Sequence, residues 1–238
     1  IEFSHRSISG ILLIVTLIIF TKSRNMSKGS IIRTTVNFLT FFVVFEAAIG
    51  AVIVLYEWVG LNSSLPRIVA VPIHLVNTFG LLACYAILYK VLLNNFKNIK
   101  QLWDRRFVFV AFLFLLSGAT GSITALADVL FPSASFYEGL MEDFDRTSEL
   151  LTRLRILHPI VATGLSVALI IESRKIRKDY KIDVKFLQLL VIVAVTLGVL
   201  NVLSNIVLLL SIFHLAIADL LWITYIYVSM DKIKINQQ

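Results

Sequence analysis

Seven stretches of almost continuous apolar residues alternate with short polar segments along this chain, at about 5–21, 35–56, 68–89, 107–127, 156–172, 186–205 and 208–229. Each is close to the roughly 20 residues that a helix needs to cross a bilayer. The apolar positions are contiguous rather than alternating, so the pattern predicts helices and not the strands of a membrane barrel. The weakest break lies between the last two stretches, where only Ser204 and Asn205 signal a turn. Polar positions inside the stretches are few, and two acidic ones lie well away from the stretch ends: Glu46 in the second and Asp219 in the seventh. The expected architecture is an all-α polytopic membrane protein.

Composition agrees. A soluble domain is about a quarter charged, whereas this chain is 16% charged and 58% hydrophobic, with a mean hydropathy of +0.87. The first stretch lacks the basic leader and small-residue cleavage site of a signal peptide. The single cysteine, Cys84, excludes an internal disulfide and a cysteine metal cluster.

The net charge of +7 could suggest a nucleic-acid partner, but its placement has another cause. Segments 22–33, 90–106, 172–185 and the tail after 229 carry 4, 5, 6 and 2 of the 22 basic residues. The opposite connections carry Arg6, Arg67, Arg146, Arg153 and Arg155, and 128–149 is acidic. The positive-inside rule makes the first set cytoplasmic. No nucleic-acid partner is expected; the partner is a lipid bilayer, here the plasma membrane. This orientation places Ile1 outside and predicts an eighth helix upstream. Seven helices with a translocated N-terminus is the alternative.

The four histidines share one depth. His5, His74, His158 and His214 lie 17, 16, 16 and 18 residues before the first basic residue at the cytoplasmic end of their helices. At about 1.5 Å per residue, all four lie about 24–27 Å from that end, toward the extracytoplasmic side. A lone histidine near a helix end is usually interfacial or a satisfied core residue. Four on the four inward-running helices, and none on the others, point to function, since ionisable groups inside membranes are costly. Pairs of imidazoles facing across a bundle suit six-coordinate haem iron. Zinc or copper is the competing ligand, with no cysteine and few carboxylates to complete its shell.

The helix order repeats from His5 to His74 and from His158 to His214. With an upstream helix added, the pattern predicts two four-helix bundles. Residues 1–106 would form the first half and 107–238 the second, each holding a histidine pair on its second and fourth helices. Glu2 and Arg155 occupy matching places, each three residues before its half's first histidine, one helical turn away. A guanidinium suits haem propionates. A carboxylate would repel them and could relay a proton, although a helix-start acid is also favoured by the macrodipole. The asymmetry suggests one structural or electron-transferring haem and one site of chemistry.

"EFSHR", "PIHL", "RILHP", "SIFHLAIADLLW" and the glycine-rich "GATGSITALADVLFP" at 118–132, in this order and spacing, resemble haem A synthase over essentially the whole chain. The resemblance implies oxidation of a methyl group of haem O to a formyl by successive hydroxylations, in support of haem–copper terminal oxidase assembly. It implies that His5 and His74 face the substrate haem, with Glu2 as the catalytic carboxylate. His158 and His214 would ligate the iron of haem b, with Arg155 beside it. Haem O synthase and an electron donor are the implied partners, and a homo-oligomer is left open. The chain departs from the family in two ways. It lacks the outer-loop cysteine pair of many bacterial members, and Pro159 follows His158 where Arg6 follows His5. Proline is tolerated in a first helical turn.

Two other classes compete. A dihaem cytochrome of the b type would place haems near opposite faces, whereas these histidines share one. A transporter would break its helices at mid-membrane, yet Pro66, Pro72, Pro132 and Pro159 all lie near the outer side. Glu46 and Asp219 are candidates for proton or hydrogen-bond roles. Arg67 and Arg153 at the outer rim could hold propionates. Gly118 and Gly121 suggest close helix packing, Trp58 and Trp103 an interfacial aromatic belt, and 128–153 a short surface helix over the second site.

Overall fold

The computed structural model describes residues 2–94, 96 and 98–237, with side chains from Ser4 onward. The described residues form helices α1 (Glu2–Ser23), α2 (Ile31–Leu55), α3 (Leu65–Leu93), α4 (Arg105–Leu130), α5 (Phe136–Phe144), α6 (Leu150–Leu154), α7 (Leu157–Tyr180), α8 (Lys185–Leu203) and α9 (Leu208–Asn236), with a 3₁₀ turn at Lys100–Trp103. Seven spans are long and apolar enough to cross a membrane, α6 and α7 together making one of them. The chain is an all-helical, multi-pass membrane protein. Consecutive crossings bring the starts of α1, α3, α7 and α9 to one end, the histidine end, and gather most lysines and arginines at the other.

Local chemistry sets the helix ends. Ser30 caps α2 by accepting from Arg33 N at 3.3 Å, and Asp104 caps α4 by accepting from Phe107 N at 2.8 Å, each supplying one of the acceptors that a helix start lacks. The weak break at Ser204 and Asn205 is a real reversal. Asn205 and Ile206 both take left-handed backbone angles, with φ of 57° and 61°, and Ile206 N donates back to Asn201 O at 2.8 Å. Glu57 ends α2 in the same way, with φ of 55° and Trp58 N donating to Ile53 O.

Helices α1, α2 and α3 pack in sequence, and α4, α7, α8 and α9 form a second group. Helix α3 joins them by packing on both α4 and α9. The main core straddles the boundary expected at 106/107: Phe79 of α3 meets Phe114 of α4 and Trp222 of α9, and Trp222 Nε1 donates to Phe79 O at 2.9 Å. Gly118 admits the Phe79 ring, which a Cβ there would strike. At the basic end, the last turns of α9 are fastened by Lys232 to Asp104 and by Lys90 to Asp231, at 2.5 and 2.6 Å.

Candidate functional site

His158 is the second residue of α7, just beyond a break at Arg155 and Ile156 that separates α6 from α7. Pro159 explains the break: lacking an N–H, it cannot donate to the carbonyl of Arg155, four residues back. That carbonyl instead accepts from His158 N at 3.2 Å and from Thr124 Oγ1 at 3.4 Å. The imidazole leans on α4, where Nδ1 lies 3.2 Å from Ser117 O and 3.4 Å from Thr120 Oγ1.

His214 leans on α8 in the same manner, with Nδ1 3.0 Å from Ala194 O. The two rings face each other with centroids 6.2 Å apart and planes at 86°. A carbonyl on Nδ1 fixes that nitrogen as the proton carrier and leaves Nε2 as the ligand nitrogen, the usual arrangement of metal-bound histidine. A metal–imidazole bond of about 2 Å, plus about 1 Å from ring nitrogen to ring centre, would put two trans-axial centroids about 6 Å apart. At this spacing His158 and His214 would hold a haem iron between them through Nε2. Among the described residues, no group of three or more His, Cys, Asp or Glu is arranged for a bare ion, and a macrocycle supplies the remaining donors itself.

The first half is built differently. His74 Nδ1 faces α2 and stands 3.4 Å from Glu46 Oε2, with no other partner for this buried nitrogen. Glu46 is held by Asn77 Nδ2 at 2.5 Å and Thr78 Oγ1 at 2.6 Å. His5 lies exposed near the start of α1. The ring contact that joins His158 to His214 has no counterpart between His5 and His74 among the described residues. Glu2 belongs to the first turn of α1, but its side chain lies outside the described residues.

The three described histidine seats follow one rule. Each ring is faced by a residue on the preceding membrane span and fits over a glycine four positions later: Glu46 with Gly50, Ser117 with Gly121, Ala194 with Gly198. A Cβ on Gly121 would lie 2.9 Å from His158 Cε1, one on Gly198 3.2 Å from His214 Cε1, and one on Gly50 3.9 Å from His74 Cε1. A helical carbonyl points toward the residue four positions on, so glycine there uncovers its second lone pair. The sequence reading assigned Gly121 to helix packing and passed over Gly50 and Gly198. Their spacing was visible, but its meaning required the neighbouring imidazole.

Comparison with known proteins places this architecture. Residues 1–226 match the cytochrome oxidase assembly protein family, COX15-CtaA. The chain belongs to that family. Two curated relatives, both named protoheme IX farnesyltransferase and from two strains of Thermus thermophilus, are 28% identical over 98% of this chain. The chain spans about 40% of their length. No solved structure matches it.

Arg155 has no donor to spare. Its Nε donates to Asp143 at 2.8 Å, its NH1 to Asp128 at 3.1 Å and Ser133 at 3.2 Å, and its NH2 to Glu142 at 3.2 Å and Gly139 O at 3.4 Å. It clasps the surface helix α5 to α4 and α7, where the sequence suggested a propionate partner. Its neighbour Arg153 keeps a buried Nε without a partner, as does Arg67. Arg67 NH1 is spent on the loop carbonyls of Gly60 and Asn62, at 2.7 and 2.6 Å. Asp219 Oδ1 is also buried and unpartnered.

Proposed function

We propose that this chain is a haem-modifying oxidoreductase of the haem A synthase type, oxidising a methyl group of haem O to the formyl of haem A. The single observation carrying the reading is the His158–His214 pair: two imidazoles at axial separation, each with Nδ1 held by a backbone carbonyl and Nε2 left for iron. Family membership supplies the setting, cytochrome oxidase assembly. A relative named for farnesyl transfer to protoheme would make a farnesylated haem, the substrate class proposed here.

In this reading His158 and His214 hold a resident haem b, which supplies one-electron transfer when bound. His5 and His74 face the substrate haem, and Glu2 acts as the carboxylate that takes or relays a proton at the methyl group. Residues 1–106 and 107–238 form a substrate half and a haem b half. Arg155 serves the second half by holding α5 over it. The histidine end faces the extracytoplasmic side of the plasma membrane, as the basic loops require. Each hydroxylation takes two electrons from the methyl carbon. Dioxygen as oxidant, with two electrons and two protons from an electron donor per oxygen inserted and one water released, completes the system. A haem O synthase upstream would provide the substrate.

The test is haem extraction with reduced-minus-oxidised spectra on detergent-purified full chain, from cells that supply haem O. Wild type is expected to carry haem b and to yield formyl haem. His158→Ala should lose haem b. Glu2→Ala should keep it and accumulate unoxidised haem. A protein devoid of haem under these conditions refutes the reading.

A further inference from the structure

The two histidine sites differ in what holds the imidazole, and the difference lies at one repeated position. Ser117 and Ala194 offer a neutral backbone carbonyl to Nδ1 of His158 and His214. At the matching position, four residues before its own glycine, α2 carries Glu46, whose carboxylate faces His74 Nδ1. The carboxylate is braced for that task. Asn77 Nδ2 donates to its Oε2 while also tying to Phe42 O at 2.9 Å, and Thr78 donates to its Oε1. Asn77 and Thr78 sit on α3 next to His74's own turn, so Glu46, its braces and the imidazole form one unit across the α2–α3 contact. The nitrogen at its centre is buried and makes no hydrogen bond in this structure; the Glu46 oxygen 3.4 Å away is the acceptor that faces it.

We propose that Glu46 is the positioning residue of the first-half site, taking the Nδ1–H of His74 so that Nε2 is presented to the iron of the haem bound there. This rests on the reading above that His74 faces the substrate haem. An imidazole whose proton is shared with a carboxylate is a stronger donor than one bonded to a carbonyl. The substrate-side iron therefore has the more electron-rich axial ligand, which favours its ferric state. The two haem sites are thus set apart by a single side chain. Ligand donor strength is one of the protein's levers on haem reactivity.

The test uses the full chain loaded with protohaem as probe, comparing wild type, Glu46→Gln, Glu46→Asp and His74→Ala by redox titration and low-temperature EPR. Glu46→Gln keeps an acceptor for Asn77 but gives His74 only a neutral partner. It is expected to raise one of the two midpoint potentials and shift that haem's g-values, leaving the His158–His214 haem unchanged. Glu46→Asp should move the potential part of the way back. His74→Ala identifies the responsive haem by removing its signal. If Glu46→Gln shifts neither potential, or shifts both equally, the proposal is overturned while the haem reading stands. A wild type that takes up protohaem only at His158–His214 overturns both.

Discussion

Replacing Gly121 with alanine should dislodge His158 without unfolding the bundle. The added Cβ would sit 2.9 Å from His158 Cε1 and 3.2 Å from Nδ1, whereas carbon contacts are optimal at about 3.5–4.0 Å, so the ring must retreat by about 0.6 Å or more. It cannot simply swing away, because Nδ1 is tied to Ser117 O on the same helix as the glycine. Overpacking of this kind costs about 1–3 kcal/mol, and alanine returns up to about 1 kcal/mol in helix propensity. A net loss of about 1–2 kcal/mol corresponds to a roughly 5–30-fold weaker hold on the ligand. The same arithmetic makes Gly198→Ala milder, at 3.2 Å from His214 Cε1, and Gly50→Ala nearly silent, at 3.9 Å from His74 Cε1. The assay is the ratio of bound haem to protein after purification, with thermal unfolding in detergent as the folding control. The expected order of haem loss is Gly121→Ala, then Gly198→Ala, with Gly50→Ala like wild type. A Gly121→Ala protein with full haem occupancy, or a Gly50→Ala protein as impaired as Gly121→Ala, would refute the reasoning.

Two further outcomes follow from the charged clusters. Arg155→Gln leaves Asp128, Glu142 and Asp143 facing one another; removing one partner of a buried pair costs about 3–5 kcal/mol, and Glu142, 36% exposed, places the loss toward the lower end. Calorimetry should show a lower melting temperature, and limited proteolysis faster cleavage around α5. Burial pushes the Asp143 carboxyl above its usual range even though Arg155 pulls it down, so its ionised form is the one that the fold disfavours. Loss of Arg155 should therefore hurt most at neutral pH, and the gap to wild type should narrow as pH falls through that raised value. Asp104 behaves in the opposite sense. Burial raises its carboxyl, but the Lys232 and Phe107 N contacts outweigh it and hold it below the usual range. Asp104→Asn keeps a capping oxygen but removes the charge facing Lys232, and for a carboxylate this exposed the cost should be about 0.5 kcal/mol. That cost should be present above the ordinary carboxylate value of about 3.9 and should fade as pH falls through the depressed one. A stability difference independent of pH would contradict this account.

The spans, and the place of His5, His74, His158 and His214 in the first halves of α1, α3, α7 and α9, were written in the sequence. Burying apolar side chains in lipid is non-directional and reads out locally, so runs of Ile, Leu, Val and Phe locate helices without reference to neighbours. Basic residues at alternate connections fix the crossing order by the same local logic. The acidic outer segment 128–153 pointed to a short surface helix, found at Phe136–Phe144, and Ser204 with Asn205 marked the last turn. What only the tertiary structure decided was which polar groups meet. The carbonyls of Ser117 and Ala194 carry no signature in sequence, because every residue has a carbonyl; they matter through the rotation that turns them toward an imidazole on the next helix. Arg155 looked like an anion receptor on one helix, yet its carboxylate partners come from α4 and α5, up to 27 residues away. Glu46 was visible as an intramembrane acid, but its pairing with His74 depends on the α2–α3 register. Hydrogen bonds are directional and short, so they are settled by packing angles between helices, which hydrophobic periodicity does not encode.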